Sequence, residues 1–118
     1  IQARNYGEFL REAGIKEIFR KVKSDPRKKL HVVFGTVNDK DIRKILLLLP
    51  KKAAYYFCKA DIQRALDENT LTGEAKKIGL MGKTFSTVQQ AISSAKKNAS
   101  AKDFILITGS AFVVAEVI

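Results

Sequence analysis

The sequence predicts an α/β fold, a mostly parallel sheet with helices on both faces. Short β-branched and aromatic runs recur along the chain, and segments with three- and four-residue apolar spacing separate them. The two strongest strand runs also lead straight into a glycine-bearing turn. Strands that alternate with helices need crossover connections, and crossovers build parallel sheets covered on both sides.

Taken in order, Tyr6, Phe9, Leu10 and Ala13, then Ile18, Phe19 and Val22, predict one or two amphipathic helices over residues 2–23, interrupted near Gly14. Ser24, Asp25 and Pro26 end that segment. Leu30 to Phe34 is a β-branched and aromatic run closing on Gly35, the pattern of a strand covered on both faces. Asn38, Asp39 or Asp41 can cap the next helix, whose Ile42, Ile45, Leu46 and Leu49 form one stripe before Pro50 stops it. Residues 53–60 repeat the strand signal. Asp61 can cap a helix through Leu66, and Thr70 or Thr72 can start another that ends at Gly79. Ser86-Thr87-Val88-Gln89 has the form of a capping box, and Val88, Ala91, Ile92 and Ala95 give the following helix its buried face. Phe104 to Ile107 is the last strand; Thr108-Gly109-Ser110 joins it to a final apolar helix over residues 111–118.

A chain of 118 residues fits one domain, residues 1–118. Folding at this size buries roughly 65% of the surface of the extended chain. The longest apolar run, residues 45–49, is far below the ~20 residues of a membrane-spanning helix. No secretory signal opens the chain, and Ile1 without a preceding Met marks it as an expected fragment. Cys58 stands alone in an apolar run, as a buried thiol would, and fits a reducing, cytoplasmic setting. Twenty-two Lys and Arg against 12 Asp and Glu leave +10, which favours anionic partners without choosing among them. The cations are spread over helices and turns, as on ordinary solvated faces.

In an open parallel sheet, ligands bind outside the carboxyl ends of the strands. After the first strand, Gly35 leads into Asn38, Asp39, Lys40 and Asp41, where Lys40 can neutralise a carboxylate or phosphate. Asn38 and Asp39 are equally ordinary caps, and Lys40 an ordinary solvated side chain. After the last strand, Thr108, Gly109 and Ser110 can present backbone N–H groups and a hydroxyl to an anion, or form a plain helix-capping turn. Gly82-Lys83-Thr84 lacks the earlier glycine of a phosphate-binding P-loop, because that position is Lys77. His31 has no Cys or second His nearby for a metal site and reads as structural.

Four runs together resemble one family: Leu-His-Val-Val-Phe-Gly-Thr-Val-Asn-Asp-Lys-Asp-Ile (30–42), Leu-Leu-Pro-Lys-Lys-Ala-Ala-Tyr-Tyr-Phe-Cys-Lys-Ala (48–60), Arg-Ala-Leu (64–66) and Ile-Thr-Gly-Ser-Ala-Phe-Val-Val-Ala-Glu-Val-Ile (107–118). In order and spacing they are similar to the C-terminal, Mur-ligase-type domain of bacterial bifunctional folylpolyglutamate synthase/dihydrofolate synthase, over residues 29–118. The resemblance implies a Rossmann-like three-layer α/β/α domain that closes over a separate central ATPase domain. It also implies a reaction in which ATP and Mg²⁺ activate a folate or dihydropteroate carboxylate as an acyl phosphate, which the amine of glutamate attacks.

By the same resemblance, Ser110, with Thr108 and Gly109, is the first choice for a glutamate contact, and Lys40, with Asp39 and Asn38, the second. The family's strand ending in Asp-x-x-His-Asn is missing from this sequence, as are the P-loop and Mg²⁺ ligands of the central domain. The chain alone is therefore expected to hold no cofactor and to be inactive. Two other readings compete: another Mur-type ligase acting on cell-wall precursors, and a basic α/β nucleic-acid-binding module. The second lacks interleaved aromatic and basic residues on a recognisable motif.

Overall fold

The computed structural model describes residues 29–38 and 42–109. The helices predicted over residues 2–23 and 111–118 lie outside them. Four strands, β1 (Leu30–Gly35), β2 (Ala54–Phe57), β3 (Gly82–Thr84) and β4 (Phe104–Gly109), form one sheet in the order β3-β2-β1-β4, with every pairing parallel. Between them run α1 (Ile42–Leu47), α2 (Glu68–Lys77) and α3 (Val88–Asn98).

The strand order dictates the layers. From β1 to β2 to β3 the chain steps one way along the sheet, and α3 then carries it back across to β4 on the far side of β1. Right-handed crossovers that step in opposite directions lie on opposite faces. Accordingly α1 touches α2, whereas α3 packs on β1 and β2.

Side chains alternate between the two faces. Tyr55 and Phe57 stack on the α1 and α2 side, where the Tyr55 hydroxyl donates to the Pro50 carbonyl; burial pushes this phenol's pKa well up. Tyr56 points the other way, against Phe85 and Asn98. β1 is buried along its whole length, as a central strand covered on both sides must be, and its Val32, Val33 and Phe34 join Leu71, Ala75, Val88, Ala91 and Leu106 in the core. Cys58 is fully buried, with Sγ 3.6 Å from the Phe34 carbonyl oxygen.

At the amino-terminal edge of the sheet a buried polar cluster joins three strands. His31 Nε2 lies 2.9 Å from Asp103 Oδ2, and His31 Nδ1 lies 2.9 Å from the Tyr56 hydroxyl, which also accepts from Asn98 Nδ2 at 3.3 Å. The Lys29 and Ser100 N–H groups donate to the Asp103 carboxylate, each at 3.0 Å. One arrangement satisfies every partner: His31 Nε2–H donates to Asp103, and the Tyr56 O–H donates to Nδ1. Burial alone would raise the Asp103 pKa, but the hydrogen bonds from Ser100, His31 and Lys29 outweigh it and hold the carboxyl well below the usual carboxylate range. The structural role read for His31 is thus this bridge between β1, β2 and the start of β4.

Local signals needed correction in four places. Residues 61–66 form turns and an isolated bridge, not a helix, because their backbone groups pair with the loop after β1. The following helix starts at Glu68, capped by Asp67, whose carboxylate accepts from Thr70 N–H at 2.9 Å; Thr70 and Thr72 lie inside it. The capping box is shifted by one residue. Thr87 is the cap and accepts from Gln90 N–H at 3.1 Å, while the Ser86 hydroxyl donates to the Gln90 side chain. Finally, Gly82-Lys83-Thr84 is an edge strand that the hydrophobic pattern does not show, since all three residues are exposed. Gly82 permits it, because a Cβ there would stand 2.5 Å from the Tyr55 carbonyl oxygen.

Part of the positive charge has a local cause. Lys44, Lys76, Lys77, Lys96 and Lys97 occupy the last turns of α1, α2 and α3, where a cation complements the helix dipole.

Candidate functional site

The crossover leaving β1 heads towards β2, while β4 flanks β1 on the other side, so the carboxyl ends of β1 and β4 frame the place where an open α/β sheet holds its ligand. The two strands run in register from Leu30 opposite Phe104 to Gly35 opposite Gly109. Thr108 and Gly109 are the last residues of β4, not part of a turn. Gly109 has φ +123°, a conformation essentially confined to glycine, and a Cβ there would stand 1.8 Å from the Gly35 carbonyl oxygen. The close approach this glycine allows is therefore between strands.

Beyond Gly35 the chain is held by the loop that follows β2. Asn38 N–H donates to the Arg64 carbonyl at 2.7 Å, Leu66 N–H donates to the Thr36 carbonyl at 2.9 Å, and Val37 bridges Ala65 in antiparallel fashion. Residues 64–66 thus lie alongside residues 36–38 at the sheet's carboxyl rim. Sequence reasoning placed a helix there; Arg-Ala-Leu carried the family resemblance but no assigned role.

Among the six residues singled out from the sequence, Thr108 and Gly109 end β4 and Asn38 lies three residues beyond the end of β1, where its N–H is tied to the loop after β2. Asp39, Lys40 and Ser110 lie outside the described residues. Thr36 and Thr108 are both buried, and alternation places them on the same face of the sheet, since Thr108 is opposite Phe34 and Thr36 lies two residues further along. Neither hydroxyl makes a hydrogen bond with another described residue, so both retain donors and acceptors for water or a ligand.

Among the described residues no three His, Cys, Asp or Glu side chains gather into a metal-binding group. Lys83 belongs to an edge strand instead of a loop entering a helix, so it cannot cradle phosphates as a P-loop lysine does. What the rim offers is polar positioning: backbone groups and the Thr36 and Thr108 hydroxyls. No described helix is long and apolar enough to cross a membrane.

The parallel sheet with helices on both faces leaves the family open, and the comparison with known families supplies it. The family model described as Mur ligase, glutamate ligase domain matches residues 11–111, and the chain belongs to this family. The chain is 36% identical over 88 residues to a bifunctional folylpolyglutamate synthase/dihydropteroate synthase of Haloferax volcanii, covering 74% of this chain and 10% of that protein. It is 32% identical over 94 residues to the dihydrofolate synthase/folylpolyglutamate synthase of Buchnera aphidicola, covering 78% of this chain and 22% of that one. Among solved structures, E. coli FolC in complex with DHPP and ADP superposes with a TM-score of 0.71 at 26% identity, over 99% of this chain and 26% of that chain. The chain thus spans a quarter or less of the length of the curated relatives it matches.

Proposed function

We propose that this chain is the glutamate-holding domain of an ATP-dependent folate:glutamate ligase of the folylpolyglutamate synthase/dihydrofolate synthase type, working in the cytoplasm. The observation that carries this reading is the match of residues 11–111 to the glutamate ligase domain family, together with the pairing of Gly35 with Gly109 at the carboxyl rim. In the sequence Asn38, Asp39 and Lys40 follow β1, and Ser110 follows Thr108 and Gly109 at the end of β4. In this reading the two segments grip the incoming glutamate, Ser110 and the rim N–H groups through its carboxylates and Lys40 by charge. The amine is then held where an activated folate carboxylate can meet it, and such positioning lowers the barrier by removing the entropy of encounter.

ATP and Mg²⁺ belong, in this reading, to a separate central domain over which the present chain closes, and the isolated chain is inactive. The ADP and DHPP held by the E. coli relative support a nucleotide and a folate precursor as partners of the whole enzyme. The test is Ser110→Ala in the full-length protein. Loss of one hydrogen bond to a charged group is worth about 1.5–3 kcal/mol, so the glutamate KM should rise about tenfold to a hundredfold while the ATP KM holds. An unchanged glutamate KM would refute the assignment of Ser110.

A further inference from the structure

The amino-terminal edge of the sheet, opposite the rim, carries a charge that its helices only partly explain. Every strand pairing is parallel, so each helix between strands runs back to this edge, where helix ends and strand starts meet. Lys44, Lys76, Lys77, Lys96 and Lys97 stand there in last turns and complement the helix dipoles. Lys29, Lys51, Lys52 and Lys102 stand there too, but outside any helix, in the connections that enter β1, β2 and β4. All of these lysines are exposed. Among the described residues the acids nearest this edge are Asp103, buried and hydrogen-bonded, and Glu74, which pairs with Lys77 at 3.2 Å and with Arg43 at 3.7 Å. The other described acids, Asp61, Asp67 and Glu68, follow the carboxyl end of β2, where Lys59 and Arg64 are interspersed with them. Like charges gathered on one edge repel one another, whereas a surface that serves solubility alone mixes the signs. The same edge exposes large apolar side chains: Leu47, Leu48 and Met81 are 61%, 68% and 65% exposed. Their segments adjoin, since a Cβ on Gly79 would lie 4.0 Å from Lys51 Cδ and the Tyr55 N–H donates to the Met81 carbonyl at 3.3 Å.

We infer that this edge docks on an anionic lipid surface. The lysines meet the charged headgroups, and Leu47, Leu48 and Met81 enter the boundary between headgroups and acyl chains. Cations alone would suit a nucleic-acid backbone equally well. The apolar residues decide between the two, because single-stranded bases stack on aromatic rings and every described aromatic residue is buried or half-buried. Exposed leucine and methionine beside lysine instead match the two layers of a lipid interface. Docked in this way, the protein turns the rim where β1 and β4 end away from the lipid and leaves it open to water. The inference does not rest on the ligase reading.

The experiment is co-sedimentation of the full-length protein with vesicles of equal parts phosphatidylserine and phosphatidylcholine, and with vesicles of phosphatidylcholine alone. The protein should partition onto the mixed vesicles and not onto phosphatidylcholine, and added salt should weaken the binding by screening the charges. Each lysine near an anionic leaflet strengthens partitioning about fivefold, so Lys51→Glu/Lys52→Glu should weaken it by about twenty-fivefold or more. Leu47→Ser/Leu48→Ser leaves the charge unchanged and should weaken it by roughly tenfold. Lys59→Glu makes the same charge change as Lys52→Glu, but at the opposite edge, and should leave partitioning within about twofold of the parent. All the substituted leucines and Lys51 and Lys52 are exposed, so these variants keep the core intact. Equal binding to both kinds of vesicle, or equal losses in Lys52→Glu and Lys59→Glu, would overturn the inference. Tighter binding to a single-stranded oligonucleotide than to the mixed vesicles, unaffected by Leu47→Ser/Leu48→Ser, would overturn it in favour of a nucleic-acid partner.

Discussion

Replacing Gly109 by alanine places a Cβ 1.8 Å from the Gly35 carbonyl oxygen and forces an L-residue to φ +123°. The backbone strain alone costs about 1–3 kcal/mol. Relief of the clash must also part the last pair of the β1–β4 register, giving up a ladder hydrogen bond worth about 1 kcal/mol. The sum, about 2–4 kcal/mol, lowers Tm by roughly 8–16 °C at about 4 °C per kcal/mol for a domain of this size. Gly73→Ala is the matched control. Gly73 lies inside α2 with nothing within 4 Å of an added Cβ, so the substitution removes the helix cost of glycine and should raise Tm by about 2–4 °C. Both are read by thermal unfolding of the 118-residue chain, followed by far-UV circular dichroism. The reasoning fails if Gly109→Ala unfolds within about 2 °C of the parent chain, or if the two substitutions shift Tm in the same direction.

Two further substitutions probe the corrected local structure. Thr87→Ala should destabilise α3 by about 1 kcal/mol, and Ser86→Ala by a few tenths, because Thr87 is the cap; urea titration showing the reverse order would restore the capping box at Ser86. Asp103→Asn should cost most at neutral pH. The folded carboxyl is held below its unfolded value of about 3.9, so its contribution is present above that pH and is lost as pH falls towards the lower folded pKa. The stability gap between parent and variant should therefore narrow between about pH 5 and pH 2, and a gap that widens on acidification would contradict the hydrogen-bonded carboxylate.

The layers of the fold were legible because they depend on hydrophobic runs. β1 and β4 are rich in Val, Ile, Leu and Phe, since a central strand and its neighbour must fill both faces. Cys58 and His31 were read correctly for a related reason: an isolated thiol or imidazole in an apolar run is more easily buried than used. What the pattern hid depends on partners distant in sequence. β3 has no apolar residue and becomes a strand only because Gly82 lets its backbone approach Tyr55. Residues 61–66 have a helix-start residue in Asp61, but their N–H and C=O groups are claimed by Thr36 and Asn38, some 26 to 30 positions earlier. The caps at Asp67 and Thr87 were misplaced by a few residues, because Ser, Thr and Asp cluster at both helix starts and composition does not choose among them.

The candidate site divides along the same line. That the strand ends are the place to look follows from the parallel sheet alone, although Thr108 and Gly109 belong to β4 and not to the turn that the sequence predicts. The pairing of residues 64–66 with residues 36–38 is not visible in the sequence, because it joins segments some 26 to 30 positions apart.

The most direct test of the glutamate-holding role is a product assay on the full-length protein supplied with ATP, Mg²⁺, glutamate and either dihydropteroate or a reduced folate, read by mass spectrometry. Gain of glutamyl units by the pterin substrate, dependent on ATP and diminished at limiting glutamate by Ser110→Ala, is the expected result. Pterin substrate recovered without added glutamate, from a folded protein that binds ATP, would contradict it.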